Sequence, residues 1–87
     1  MANTFLLEIV TPYSLFLSEE VEEMTAPGSE GEFGVLAGHT QFLTSLKEGK
    51  LTYKMGKDKH HLSIGPGYAE VGLTKVTILT ETVEKQS

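Results

Sequence analysis

The 87-residue chain contains no cysteine, which removes disulfides, thiolate zinc sites, iron–sulfur clusters and cysteine nucleophiles together. It contains no arginine, so no guanidinium fork is available for bidentate recognition of phosphate or carboxylate. Bases are few. Seven lysines stand against twelve acids, a net charge of −5, which speaks against duplex nucleic acid, where affinity depends on neutralised phosphates. No apolar run approaches the ~20 residues that span a bilayer as a helix. The segment Met1-Ala2-Asn3-Thr4-Phe5 carries no basic residue, and Glu8 interrupts the short apolar stretch Phe5-Leu6-Leu7, so no signal core is read there. Membrane association is therefore expected only through a partner.

What is present fits a small globular domain. The chain is 39% hydrophobic and 22% charged, close to ordinary soluble domains. A chain of this size buries roughly 60–65% of its unfolded surface, enough for a core of its own. Residues 1–87 are read as one domain.

Nine glycines and three prolines cut the chain into short pieces that read mostly as strands. In residues 5–11, Phe5, Leu7 and Ile9 share one face of an extended segment that stops before Pro12. Residues 13–18 alternate, with Leu15 and Leu17 on one side. Residues 18–26 are ambiguous: Leu17, Val21 and Met24 stand at helical spacing behind Ser18-Glu19-Glu20, and pattern alone favours a helix. Residues 28–40 read as a glycine-rich loop anchored by Phe33, Val35 and Leu36. Beyond it the alternation is plain. Leu51, Tyr53 and Met55 share a face, Gly56-Lys57-Asp58 marks a hairpin turn, and Leu62 and Ile64 point inward on the return. Pro66-Gly67 marks another turn. Ala69, Val71 and Leu73 then share a face, and Val76 and Ile78 oppose Leu79 and Val83. Several short strands with turn signals between them give an all-β fold, a flattened sandwich or barrel.

Few residues can carry catalysis. His60 and His61, beside Asp58, are neighbours on an extended strand and point to opposite faces, so they cannot converge on one ion. The acidic run Glu19, Glu20, Glu22 and Glu23 lacks the glycine-hinged loop of a calcium site and reads as a solvated face. Gly28 to Gly34 has no lysine-serine pair after it and holds two glutamates, which disfavours phosphate binding. None of the serines sits in a nucleophile elbow. No catalytic residue, cofactor or metal is expected. A glycine-fixed loop that presents Glu30 and Glu32 instead suits a binding edge for a basic partner.

Four stretches carry a resemblance. Glu32-Phe33-Gly34-Val35-Leu36-Ala37-Gly38-His39-Thr40 is followed by Leu43-Thr44-Ser45-Leu46-Lys47-Glu48-Gly49, then by Gly67-Tyr68-Ala69-Glu70-Val71 and Val76-Thr77-Ile78-Leu79-Thr80-Glu81. From about Phe5 to Val83 the chain resembles the epsilon subunit of bacterial and chloroplast ATP synthase, called delta in mitochondria. The resemblance implies a β-sandwich of about ten short, mostly antiparallel strands. It also implies a strand over 18–26, with a bulge to reconcile Val21 and Met24. Ala37 departs from the family, which usually has proline there.

The implied role is mechanical: a non-catalytic rotor subunit of the central stalk that joins the gamma subunit to the ring of c subunits and couples proton-driven rotation to ATP synthesis in the alpha/beta head. The implied ring contact is Ser29, Glu30, Gly31 and Glu32, with Glu32 paired to a base. The implied gamma contact is Thr11, His39, Thr40, Phe42 and Thr44. Such a protein is expected at the cytoplasmic face of a bacterial membrane, or on the stromal side of the thylakoid, held there by the complex. The family's two-helix C-terminal domain is not found in these residues, so inhibition and ATP binding, which belong to that domain, are not assigned. Two other readings compete. One is a free-standing ligand or carrier module with Lys57 at a hairpin tip. The other is a metal hydrolase built on His39, His60 and His61.

Overall fold

The computed structural model describes residues 3–38 and 40–86. Ten strands form: β1 (Phe5–Val10), β2 (Leu15–Val21), β3 (Glu23–Gly28), β4 (Gly31–Leu36), β5 (Phe42–Leu46), β6 (Gly49–Met55), β7 (Asp58–Ile64), β8 (Gly67–Val71), β9 (Lys75–Thr80) and β10 (Val83–Lys85). The described residues hold no helix. The strand order is β10-β7-β6-β3-β5-β8-β9-β1-β2, with β4 on the free side of β3. Every pairing is antiparallel except β1 with β9. The sheet curls until β2 approaches β6, and the backbone N–H of Glu22 donates to the carbonyl of Lys54 at 2.8 Å. The result is the flattened, nearly closed β-sandwich that the alternation implies.

The core follows from that alternation. Phe5, Leu7 and Ile9 of β1 point inward with Val76 and Ile78 of β9 and Ala69 and Val71 of β8. From the other layer come Met24, Ala26, Leu51, Tyr53, Leu62 and Ile64. The β6–β7 hairpin closes on Gly56-Lys57, with Met55 paired to Asp58. Gly56 has a φ of 64° while no described non-glycine residue has a positive φ, the pattern of a type II′ turn, which matches strand twist.

Several expectations change. Residues 18–26 are strand on either side of Glu22, as the resemblance implies and against the helix that pattern alone favours, because Ser18 to Val21 pair with β1 and Glu23 to Thr25 pair with Thr52 to Lys54 of β6. No bulge reconciles Val21 and Met24. A break at Glu22 does so, pinned when the Gly56 N–H donates to the Glu22 carboxylate at 2.9 Å. The bulge lies instead opposite the end of β1: Ile9 faces Leu17 and Val10 faces Leu15, which leaves Phe16 as the extra residue. Leu15 is therefore 56% exposed while Leu17 packs against the core.

The stretch 28–40 is largely strand, since β4 pairs with β3 from Glu23–Leu36 to Gly28–Gly31. Val35 is buried and Phe33 half-buried, but Leu36 is exposed. Met55 and Leu73 are exposed as well: Met55 is the last residue of β6, at the hairpin turn, and Leu73 lies in the connection after β8.

Candidate functional site

Two surfaces stand out. The first is the tip of the β3–β4 hairpin. Ser29 and Glu30 form the turn between Gly28 and Gly31, and Glu32 lies opposite Pro27. All four predicted ring-contact residues, Ser29, Glu30, Gly31 and Glu32, are exposed. Gly31 takes a φ of 132°, open to glycine at little cost. Gly28 has no room for a side chain, because an added Cβ would stand 2.7 Å from the Gly31 carbonyl and 3.0 Å from the Phe33 ring.

The tip is tied to β5. The Ser29 N–H donates to the Ser45 carbonyl at 3.0 Å, and the Lys47 N–H donates to the Pro27 carbonyl at 2.9 Å. The Ser45 hydroxyl donates to that of Ser29 at 2.7 Å. Phe33 meets Phe42 edge-to-face, with ring centres 5.6 Å apart. Glu30 and Glu32 thus project from a braced hairpin, and among the described residues neither has a cation within ion-pair distance. Such an edge can accept a basic surface with little loss of backbone freedom.

The second surface is the outer face of β5, β8, β9, β1 and β2. Register places Ser45, Tyr68, Leu79, Val10 and Leu15 on one rung across these five strands. Four of the five are apolar or aromatic, and Tyr68, Leu79 and Leu15 are exposed at 57%, 45% and 56%. Pro12, Pro66 and Gly67 continue the row into a groove of about 560 Å³ that also touches Thr11, Thr80 and Glu81. The next rung reads Leu43, Glu70, Thr77, Glu8 and Ser18. A contiguous apolar rung beside a largely polar one has the anatomy of a protein interface.

Of the predicted gamma-contact residues, only Thr11 borders this face. Thr11 lines the groove at the end of β1. Its hydroxyl accepts from the Tyr13 and Ser14 N–H groups at 3.2 Å, which folds the turn at Pro12. Phe42 and Thr44 lie on β5 in register with Val71 and Ala69, on the inward side of that strand, and Phe42 keeps 39% exposure at its end. Thr40 is exposed in the connection before β5. His39 lies outside the described residues.

Alternation across strands, rather than along one strand, makes the outer rung, so no single stretch of sequence signals it. The exposure of Leu15 depends on the bulge at Phe16.

The histidines behave as strand neighbours. The His60 ring stacks on Tyr53 at 5.0 Å, while Nδ1 of His61 lies 3.0 Å from the Thr52 hydroxyl on the opposite face. No group of three His, Asp or Glu side chains among the described residues could hold a metal ion. Burial, and secondarily the Glu19 carboxylate, push the Tyr53 phenol above its ordinary pKa. Lys57 sits in the turn of the β6–β7 hairpin. No helix of the described residues is long and apolar enough to cross a membrane.

Comparison with known proteins agrees with this architecture. Residues 4–86 match the family model of the ATP synthase delta/epsilon chain, beta-sandwich domain. The chain is 55% identical over 85 residues to the ATP synthase epsilon chain of Geobacter metallireducens, covering 98% of this chain and 62% of that one. It is 54% identical to the epsilon chain of Geobacter sulfurreducens over the same shares. It therefore spans less than two thirds of the length of these curated relatives. It also resembles a chain in the cryo-EM structure of the Euglena gracilis mitochondrial ATP synthase, OSCP/F1/c-ring in rotational state 1. That match has a TM-score of 0.91 and 30% identity and covers 98% of this chain and 55% of that one. A chain of the Tetrahymena thermophila mitochondrial ATP synthase central stalk/c-ring structure shares the fold, with a TM-score of 0.79 at 16% identity, over 93% of this chain and 66% of that one.

Proposed function

The chain belongs to the ATP synthase delta/epsilon β-sandwich family, and from that membership we propose that it is a non-catalytic piece of the rotor, seated between the gamma subunit and the c ring. The observation that carries this reading is the outer apolar rung of Tyr68, Leu79, Val10 and Leu15. A solvated sandwich has no physical need of such a row, and a partner that covers it gains about 25 cal/mol for each Å² of apolar surface removed from water. Gamma is the proposed occupant, entering the groove beside Thr11 and extending past the outer face to the inward side of β5 for Phe42 and Thr44 and to Thr40 before it, with His39 proposed alongside them from its place in the sequence alone.

The acidic tip is the proposed ring contact. Glu32, with Glu30 beside it, meets a base on the polar loops of the c subunits. β5 belongs to both surfaces: Ser45 and Leu43 stand on the outer face, while the Ser45 carbonyl and hydroxyl brace Ser29 at the tip. Torque carried from ring to gamma would thus cross a short, hydrogen-bonded path instead of a flexible loop. The subunit sits peripherally on the cytoplasmic or stromal side of the membrane, bound through the complex.

The test uses a rotor assembly of gamma and c ring from the same source. Leu79→Asp is expected to abolish attachment to gamma, and Glu32→Lys to weaken seating on the ring, with the sandwich intact in both by circular dichroism. Attachment unchanged by Leu79→Asp would remove gamma from this face. Ring affinity unchanged by Glu32→Lys would remove the charge pair.

A further inference from the structure

Within the outer face, two carboxylates stand on the same rung but in opposite circumstances. Glu8 is matched inside the chain: its carboxylate accepts an ion pair from the Lys75 ammonium at 3.4 Å, and the Ser18 hydroxyl reaches its other oxygen at 3.5 Å. Glu70 lies two strands away on that rung, between Leu43 and Thr77. It is exposed and has no cation within ion-pair distance among the described residues. Lys75, the outward base on neighbouring β9, is the one already engaged by Glu8.

Glu70 is also two residues from Tyr68 on the same side of β8, about 7 Å away along an extended strand. A partner that covers Tyr68 and Leu79 covers Glu70 as well. A carboxylate taken out of water without a counter-charge is strongly unfavourable, whereas one that meets a cation with good geometry is tolerated and discriminates sharply against partners lacking that cation.

We propose that Glu70 is the specificity residue of this face, and that the docking surface of its partner is apolar with a lysine or arginine set opposite Glu70. The proposal rests on the reading that the outer apolar rung is the gamma-docking surface. It adds what that surface must carry. The charge acts twice: at long range it speeds encounter, and at contact it rejects an apolar patch without a base.

The test is binding of this 87-residue chain to the gamma-containing catalytic head from the same source, followed in real time at low and at physiological salt. Glu70→Lys is expected to weaken binding at least tenfold, mostly through slower association at low salt. Glu70→Gln is expected to weaken it less and to flatten its salt dependence. Asp58→Lys makes the same change in net charge at the turn of the β6–β7 hairpin, off this face, and is expected to leave affinity within about twofold. Both acids are exposed, so circular dichroism melts should match the parent.

If Glu70→Lys binds like Asp58→Lys while Leu79→Asp abolishes binding, the role of Glu70 is overturned and the docking face stands. If Leu79→Asp binds as the parent does, the docking face itself is overturned, and the proposal falls with it.

Discussion

Gly67→Ala should damage the seam that holds the outer face together. Gly67 opens β8 and pairs with Thr80 of β9. A Cβ added there would stand 1.8 Å from the Leu79 carbonyl oxygen and 2.9 Å from both the Leu79 carbonyl carbon and Thr80 Cα. These are backbone atoms, so no side-chain rotation relieves the clash. Ordinary C···O contact begins near 3.3 Å, so β8 and β9 must part locally by roughly 1.5 Å.

Overpacking of this kind costs about 1–3 kcal/mol, and a weakened ladder bond adds about 1 kcal/mol. The buried Thr80 hydroxyl, which donates to the Gly65 and Thr82 carbonyls at 2.9 and 3.0 Å, would be strained in turn. A total of about 2–4 kcal/mol is a large share of the roughly 4–13 kcal/mol expected for a chain of this length. It corresponds to a melting temperature lower by about 10–25 °C. Gly34→Ala is the natural control, since its added Cβ would meet only the Met24 carbonyl, at 3.8 Å, and its φ is ordinary. Thermal melts by circular dichroism decide the matter. A Gly67→Ala protein melting within 3 °C or so of Gly34→Ala would refute the close β8–β9 approach.

Three further outcomes are expected. Ile9→Ala empties a fully buried site facing Ile78 and should cost about 2–5 kcal/mol, read as a lower denaturant midpoint at unchanged slope. The Tyr53 phenol, held above its ordinary pKa by burial and by Glu19, keeps its proton in the folded state after the unfolded chain has lost its own. Stability should therefore fall as pH rises through about 10 and beyond, and Tyr53→Phe should flatten that alkaline limb. Glu8→Gln breaks an ion pair whose lysine side chain is half exposed, so it should change stability by less than about 1 kcal/mol, an effect that shrinks further in salt.

Much of the fold is legible along the chain, and much of the interface is not. Leu51 and Tyr53 against Leu62 and Ile64, with Gly56-Lys57 between them, specify the β6–β7 hairpin by local alternation alone. Phe5, Leu7 and Ile9 specify β1 in the same way. Residues 18–26 mislead because Leu17, Val21 and Met24 satisfy helical spacing, while the ladders that make them strand come from β1, which pairs with Leu17 and Val21, and from the remote β6, which pairs with Met24. A long-range ladder outweighs local propensity there. The glycines of 28–38 suggest a loop, yet β4 forms because glycines also permit the tight β3–β4 turn and the close packing of Phe33 over Gly28.

The outer rung shows the deeper limit. Alternation places Leu79 on the face opposite Val76 and Ile78, but it cannot say that Tyr68, Val10 and Leu15 stand beside it. That requires the parallel pairing of β1 with β9 and the bulge at Phe16, neither of which has a local signal. The acidic tip, by contrast, is contiguous in sequence, and Ser29 to Glu32 fall together at one turn.

Titration calorimetry of this chain into the gamma-containing catalytic head, at several temperatures, goes to the heart of the rotor reading. A saturable one-to-one complex with a negative heat-capacity change is expected, the sign of apolar surface leaving water. No binding, or binding whose heat capacity does not change, would contradict docking through the apolar outer face.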